Sequence, residues 1–95
     1  MPDPSLLILA SLADGDKHGY AMMEDIPGFA GVRLGPGTLY GAITRLEERG
    51  WIRPVKWKDR RQPYTITAAG AAHLREQSDH LSRIARTALA RLKHA

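Results

Sequence analysis

The sequence predicts a mostly α-helical chain of the α+β class, with one small β-hairpin and a long C-terminal helix. Apolar residues recur at helical spacing in four segments. Residues 51–66 instead partly alternate apolar with basic side chains and contain turn-forming residues, which is typical of two short strands joined by a turn. The last helical pattern continues over residues 68–93 without a proline. Together these observations predict three short helices, a hairpin and a terminal helix, in that order.

The first two helices are predicted over residues 4–13 and from residue 17 to about residue 26. The first begins at Asp3 or Pro4 and is apolar nearly all round, so it should be buried. The second should stop at Pro27, because proline breaks the helical hydrogen-bond pattern. Its apolar positions are Tyr20, Met23 and Ile26. Residues 32–34 are expected to form a very short strand.

The third helix, residues 36–49, carries the most information. Pro36 suits the first helical position, and Gly50 suits the left-handed residue after the last turn. A core-facing stripe is formed by Leu39, Ala42, Ile43 and Leu46. The opposite face holds Gly37, Thr38, Gly41, Thr44, Arg45 and Glu48. Small and hydrogen-bonding residues near its start would let this helix enter a groove end-on, with its amides toward phosphate.

A basic hairpin is predicted to follow. Residues 51–58 partly alternate apolar with basic side chains, and Pro54 indicates an edge or bulged strand. Residues 59–62 form the tip and residues 63–66 the returning strand. Arg60 and Arg61 at the tip suit contact with phosphates or a minor groove. A groove-reading helix followed by a basic wing predicts a winged helix-turn-helix DNA-binding domain over residues 1–66.

Residues 67–95 are predicted to be a dimerisation helix, with Thr67 as its N-cap. At about 1.5 Å per residue, the helix over residues 68–93 is nearly 40 Å long, too long to bury itself on so small a core. An apolar stripe suited to helix pairing comprises Leu74, Leu81, Ile84, Ala85, Ala88 and Leu92. Leu6 and Leu9 of the first helix are expected in the same interface. The alternative is that only Leu74 and Leu81 pack, on the chain's own first helix, while the remainder frays.

The formal charge of +4 is unevenly distributed. Residues 1–32 carry one lysine against five acids, residues 33–61 carry eight basic residues against three acids, and residues 62–95 carry five against two. The basic surface therefore centres on the third helix and the wing. Such a surface favours a polyanionic partner, although a solvated basic surface is the simpler alternative.

Length and composition exclude several classes of protein. Ninety-five residues predict one domain, too small to enclose a deep catalytic cleft easily. No apolar run approaches the roughly 20 residues of a membrane span, and residues 1–4 lack a signal peptide's basic region, so we expect a cytoplasmic protein. The absence of cysteine excludes disulfides, thiolate catalysis and cysteine-rich zinc sites.

With these elements in order, the chain resembles the PadR family of bacterial winged-helix transcriptional regulators over nearly its full length. The residues that carry the resemblance are Leu7-Ile8-Leu9, Gly15, His18-Gly19-Tyr20, Pro36-Gly37-Thr38-Leu39-Tyr40, Arg45-Leu46-Glu47, Gly50-Trp51-Ile52, Arg60-Arg61, Tyr64-Thr65-Ile66-Thr67 and Gly70. It departs from the family at Gly35, where serine is common, and at Gly41, where proline is common. The single terminal helix is similar to that of the short subfamily.

The resemblance implies a dimeric repressor whose two recognition helices enter successive major grooves of a pseudo-palindromic operator, roughly one helical turn apart. It also implies release from DNA by a small planar or phenolic effector, commonly bound near the dimer interface. The terminal helix has no aromatic residue, which argues against a stacked ligand there.

The residues expected to contact DNA are Lys17, His18, Tyr20, Gly37, Thr38, Tyr40, Thr44, Arg45, Lys58, Arg60 and Arg61. Each of four has a structural alternative. His18 and Tyr20 suit the local turn equally well, and Tyr40 suits packing against the core with only its hydroxyl exposed. Arg45 suits an intrahelical pair with Glu48 or Glu47.

Two tryptophans and three histidines have less definite roles. Trp51 directly follows the third helix and is expected in the core, whereas Trp57 is open to stacking on a ligand or a nucleobase. His73, His80 and His94 are spaced too widely to bind one metal ion without a partner chain. We therefore expect neither a metal nor a cofactor.

Two other functions remain open. A winged-helix protein-interaction module would present the same arginines to an acidic partner, and the salt dependence of DNA binding separates the two hypotheses. An enzyme is the least favoured, because no acid pair, nucleophile with a base, or phosphate-cradling loop stands out; Gly35-Pro36-Gly37 lacks the lysine and hydroxyl residue of a P-loop.

Overall fold

A computed structural model describes residues 3–94. The elements of this part of the chain are α1 (Pro4–Leu12), β1 (Lys17–His18), α2 (Gly19–Ala30), α3 (Pro36–Glu48), β2 (Ile52–Pro54), β3 (Pro63–Ile66) and α4 (Ala68–Lys93). Three helices followed by a hairpin form a winged helix-turn-helix, which confirms the predicted fold class. The sheet has three strands. The sequence predicted the two strands of the hairpin, but it missed β1.

The core lies between α1, α2 and α3. Its fully buried apolar side chains include Ile8, Leu9, Met22, Ile26, Leu39, Ile43, Leu46 and Ile52. The stripe predicted on α3 is buried at every position. On α2, Ile26 is buried and Met23 packs against the core as predicted, whereas Tyr20 is half exposed and Met22 is fully buried instead. The expected role of Leu9 in a dimer interface is wrong, because its side chain is fully buried within the single chain.

The ends of α1 and α3 follow the predicted chemistry. The Asp3 carboxylate caps α1 by accepting a hydrogen bond from the Ser5 amide at 3.0 Å. Pro36 opens α3, where a missing N–H costs nothing. Gly50 has φ of 73°, the left-handed conformation that favours glycine and ends the helix.

Both predicted ends of α2 are wrong. Helix α2 begins at Gly19 rather than Lys17, because the His18 imidazole accepts a hydrogen bond from the Ala21 amide at 3.1 Å and so caps the helix. It also continues through Pro27 to Ala30. Proline removes one hydrogen bond near the helix end, but the Gly31 amide still donates to the Pro27 carbonyl at 3.1 Å, and Gly31 is left-handed.

The antiparallel sheet has the order β1-β3-β2. Ile52 pairs with Ile66 in one ladder, and Lys17 pairs with Tyr64 in the other. The strand predicted at residues 32–34 is not formed, since β1 and β2 already occupy both edges of β3. Pro54 pairs at the end of the edge strand β2, as its missing N–H requires.

Helix α4 has the predicted bounds, and its two halves have different surroundings. Gly70 is buried against the Trp51 carbonyl: a Cβ at Gly70 would lie 2.0 Å from that oxygen, so only glycine fits. Leu74 packs against the core. From residue 78 to residue 94 every side chain is exposed. The first half of α4 is therefore fixed to the domain, and the second half projects from it.

Candidate nucleic-acid interface

An open cleft of about 310 Å³ lies where α2, α3 and the wing meet. The start of α2, the exposed face of α3 and the returning arm of the wing supply its walls. Its lining residues are His18, Gly19, Tyr20, Tyr40, Arg60, Arg61, Gln62 and Tyr64. Five of the residues that the sequence predicted to contact DNA thus share one surface: His18, Tyr20, Tyr40, Arg60 and Arg61.

Gly19 allows Tyr40 to lie across the start of α2. A Cβ built on Gly19 would be 2.5 Å from the Tyr40 hydroxyl oxygen and 2.7 Å from the nearest carbon of its ring. The phenol therefore rests on the Gly19 backbone, while 47% of the Tyr40 residue remains exposed. Packing and DNA contact were the two roles considered for Tyr40. In this position one face of the ring packs on the Gly19 backbone, while an edge of the ring stays accessible for contact.

Arg61 connects the wing to α2. Its guanidinium carbon lies 5.2 Å from the centroid of the Tyr20 ring, within the range of a cation–π contact. This contact crosses from the hairpin loop to the first turn of a helix far away in sequence. It holds the cation at the cleft without neutralising it, so its charge stays available to an anion.

The base of the wing is braced by Gln62. Its side-chain amide donates to the carbonyls of Val55 and Pro63, both at 2.7 Å. The Val55 amide donates to the Pro63 carbonyl at 3.0 Å, which extends the pairing beyond β2. The loop that bears the arginines is therefore closed at its base. Nothing in the sequence pattern had indicated this role for Gln62, because a glutamine in a loop has many possible partners.

Lys17 and His18 are occupied by local contacts. The Lys17 ammonium donates to the Asp14 carboxylate and to the Ser11 carbonyl, and this contact holds the pKa of Asp14 below its usual value. His18 lines the cleft, but its Nδ1 caps α2. The local alternative considered for His18 is thus the one observed, with the rest of the ring at the cleft.

The start of α3 presents backbone rather than side chains. Its N-cap is Gly35, which gives no side-chain hydrogen bond, and Gly37 and Thr38 in the first turn are exposed. Thr44 donates to the Tyr40 carbonyl at 3.0 Å. A guanidinium nitrogen of Arg45 lies 3.6 Å from the position that a Cβ on Gly41 would take, so the arginine lies over this glycine.

The wing is strongly basic. Its exposed cations are Lys56, Lys58, Arg60 and Arg61. Asp59 accepts a hydrogen bond from the Arg60 backbone amide at 2.8 Å.

Tyr64 lines the cleft beside these arginines. Burial is the main cause that raises the pKa of Tyr64, and the negative charge of Glu47 raises it further. Tyr64 is therefore a neutral hydroxyl beside the arginines at ordinary pH.

The two tryptophans have different environments. Trp51 packs partly against the core and stacks on His73, with ring centroids 3.8 Å apart and planes inclined by 14°. The guanidinium carbon of Arg49 lies 5.1 Å from the Trp51 ring. Trp57 is 65% exposed on the wing.

Among residues 3–94, no group of three or more histidine and acidic side chains is arranged to hold a metal ion.

The projecting half of α4 carries exposed apolar side chains on a polar helix. Leu81, Ile84, Leu89 and Leu92 are between 48% and 70% exposed. Leu89 was not among the predicted interface residues. No helix within residues 3–94 is both long and apolar enough to cross a bilayer.

Comparison with known proteins gives a consistent result. The model of the transcriptional regulator PadR-like family matches residues 8–76. The chain is 37% identical over 93 residues to the transcriptional regulator Rv3488 of Mycobacterium tuberculosis, covering 94% of this chain and 85% of that protein. It is also 43% identical over 82 residues to an uncharacterized 37.1 kDa protein in transposon TN4556 of Streptomyces fradiae. That match covers 86% of this chain but only 24% of the longer protein.

Solved structures share the fold. A transcriptional regulator from Clostridium thermocellum is 26% identical, with a TM-score of 0.79 over 88% of this chain and 84% of that one. A PadR family transcription regulator from Clostridium difficile R20291 has a TM-score of 0.82 over 90% of this chain and 94% of that one. The latter is 22% identical, so its likeness concerns the fold alone.

Proposed function

The chain belongs to the PadR-like family of transcriptional regulators and binds DNA, and we propose that it represses transcription as a homodimer on a pseudo-palindromic operator. The observation that carries the proposal is the cleft, because it brings α2, α3 and the wing arginines to one face. Repression would follow from occlusion of the promoter. The family assignment also argues against an enzymatic role.

In this proposal α3 enters the major groove by its N-terminal end. Exposed Gly37 and Thr38 allow close approach, and the first-turn amides point toward phosphate. Arg45, with its guanidinium near Gly41, is the candidate for a guanine contact. Thr44 presents a hydroxyl already tied to the Tyr40 carbonyl, so it would accept rather than donate.

The cleft and the wing would grip the DNA backbone. Arg60 and Arg61 supply full charges, and Tyr20 and Tyr40 supply exposed ring edges and hydroxyls beside them. Contacts of this kind set the register and orientation of the protein on the duplex. Lys58 lies on the same loop and would add a further phosphate contact.

Helix α4 would form the dimer. Leu81, Ile84 and Leu92 are exposed in the single chain, with Ala85 and Ala88 among them. Leu74 lies closer to the domain and would continue the seam toward partly buried Leu6 of α1. Pairing two such stripes would remove apolar area from water, which stabilises the dimer by about 25 cal/mol for each Å² buried.

We include release by a small planar or phenolic effector in the proposal. Helix α4 carries no Phe, Trp or Tyr, so the aromatic partners of such a compound must come from elsewhere. The cleft offers three tyrosines, and an effector bound there would compete directly with DNA.

Fluorescence anisotropy across a salt series tests the proposal, with DNA from upstream of the protein's own gene and a scrambled duplex. We expect preferential binding by several kcal/mol near physiological salt. Equal, salt-fragile binding to both duplexes would contradict an operator at that site. Binding to neither duplex at low salt would favour an acidic protein partner for the wing instead.

A further inference from the structure

Trp57 is the most exposed aromatic residue of the described chain, at 65% exposure. It lies on the wing, in the loop between β2 and β3, and Lys56, Lys58 and Gln62 line the shallow hollow beside it. An indole carries a large apolar surface, and a partner that covers it gains free energy from its removal from water. The wing therefore offers apolar contact as well as charge.

The charges around Trp57 restrict the kind of partner. Two lysines flank it in sequence, and Arg60 and Arg61 follow within the same loop. The one acid of this loop, Asp59, already accepts a hydrogen bond from the Arg60 amide. A partner that covers the indole must therefore be anionic while offering an apolar or aromatic surface close to its charges. Duplex DNA does so in its grooves, where sugars and base edges lie between two phosphate chains.

The wing also has a fixed position relative to the cleft. Gln62 braces the loop through the carbonyls of Val55 and Pro63, and Arg61 rests on Tyr20 of α2. Trp57 and Arg61 belong to the same loop, so the position of one constrains the other. When α3 and Arg61 contact DNA as proposed above, Trp57 is therefore held beside the same duplex.

We propose that Trp57 is an apolar DNA-contacting residue, whose indole enters the minor groove beside the major groove occupied by α3. Apolar side chains placed in a minor groove contact the sugars and wedge against base steps. The proposal rests on the proposed DNA-binding role of the wing and deepens it. Unlike the cations of the same loop, the indole would supply affinity that salt does not screen.

The first test compares Trp57→Ala with Trp57→Phe and Lys58→Ala, using a duplex selected from a random library by the wild-type protein. We expect roughly tenfold weaker binding for Trp57→Ala with an unchanged salt slope, and recovery of most of the affinity in Trp57→Phe. Lys58→Ala should instead lower the slope by about one unit. Trp57 is too exposed for its loss to unfold the domain.

The second test determines whether the Trp57 indole lies in the minor groove. Replacing adenine by 2,6-diaminopurine beside the site adds an amino group to the minor groove and leaves the major-groove edge unchanged. The wild type should lose affinity on this duplex, whereas Trp57→Ala should bind both duplexes alike. Quenching or shift of tryptophan emission on binding should appear in the wild type and disappear in Trp57→Phe.

The outcomes separate the two proposals. If the wild type selects and binds a duplex but Trp57→Ala binds it equally well, the role of Trp57 is overturned while the proposed function stands. Equal sensitivity of both proteins to the added amino group also overturns it. If Trp57 emission responds to vesicles of phosphatidylglycerol but not to DNA, the indole serves a lipid surface and the inference is wrong. Failure of the wild type to bind any duplex removes both proposals.

Discussion

The hydroxyl of Thr67 joins the end of α3 to the start of α4 through Gly50. It donates to the Gly50 carbonyl at 2.7 Å and accepts from the Gly70 amide at 3.0 Å, while the Thr67 amide donates to the Trp51 carbonyl at 3.0 Å. One residue therefore caps α4 and fixes its direction relative to α3. In a dimer formed by α4, this joint would set the distance between the two recognition helices.

Replacing Thr67 by valine should remove both hydroxyl contacts while keeping the shape of the side chain. We expect the free energy of unfolding to fall by about 1–2 kcal/mol, as for other lost N-caps, with Thr67→Ser retaining most of the stability. Urea denaturation followed by circular dichroism measures both. Full stability of Thr67→Val together with a loss in Thr67→Ser would mean that the methyl group, rather than the hydroxyl, makes the contribution.

Gly19→Ala should weaken DNA binding more than it affects stability. The new Cβ would collide with the Tyr40 ring, and the partly exposed ring can turn away from the cleft. The matched control is Gly28→Ala in the same helix, where no atom lies within 4 Å of the new Cβ. The control should gain up to about 1 kcal/mol in the free energy of unfolding and bind DNA normally. Normal DNA binding by Gly19→Ala would exclude Tyr40 from the interface.

Replacing both Arg60 and Arg61 by alanine should weaken binding similarly across DNA sequences and lower the salt slope by about two units. Arg61→Ala alone should cost more affinity than Arg60→Ala, because Tyr20 holds the Arg61 guanidinium at the cleft. Arg86→Ala, an exposed arginine of α4, serves as the charge-matched control. Unchanged affinity and slope in the double variant would remove the wing arginines from the interface.

Leu81→Asp should split the proposed dimer and abolish operator binding. It places a charge in an apolar seam, where no partner for it is expected. Ala90→Asp adds the same charge to an exposed position on the opposite side of α4 and should leave both properties intact. Analytical ultracentrifugation reads the mass directly. A Leu81→Asp protein that remains dimeric would place the interface elsewhere.

Alkaline pH should destabilise the chain through Tyr64. Because burial and then the charge of Glu47 raise the pKa of Tyr64 above 10.0, the folded chain holds the phenolic proton more tightly than the unfolded chain. The stabilising contribution is fully present below the unfolded pKa and is lost as pH rises through the folded pKa. The difference between wild type and Tyr64→Phe in urea denaturation should therefore shrink or reverse above about pH 10. A constant difference across that range would contradict the prediction.

The sequence correctly predicted helices that have a capping residue and an apolar stripe. It failed where long-range contacts decide where an element begins, ends or pairs. The bounds of α4 and β3 were correct, because Thr67, Pro63 and the hydrophobic period all act locally. The bounds of α2 were wrong because a histidine caps its start and the helix tolerates Pro27 near its end. Strand β1 was missed, since two residues carry no periodic pattern and β3 alone recruits them.

The same distinction applies to the site. Arg60, Arg61 and Tyr40 could be selected from residue type and family resemblance. The contact of Arg61 with Tyr20 and the brace made by Gln62 depend on how a loop folds against distant elements, and no spacing in the sequence encodes them. Leu9 was misplaced for a related reason: a helix that is apolar all round does not reveal which side faces its own core.

The projecting half of α4 also has a consequence for gene control. A regulator assembled through this half must meet a second copy before it can hold both halves of an operator. At concentrations below the dimer dissociation constant, operator occupancy would then rise with the square of the amount of protein made. An interface formed by the exposed side chains of Leu81 and Leu92 would thus make repression depend steeply on the concentration of the protein. A small change in its synthesis would then produce a disproportionate change in promoter silencing.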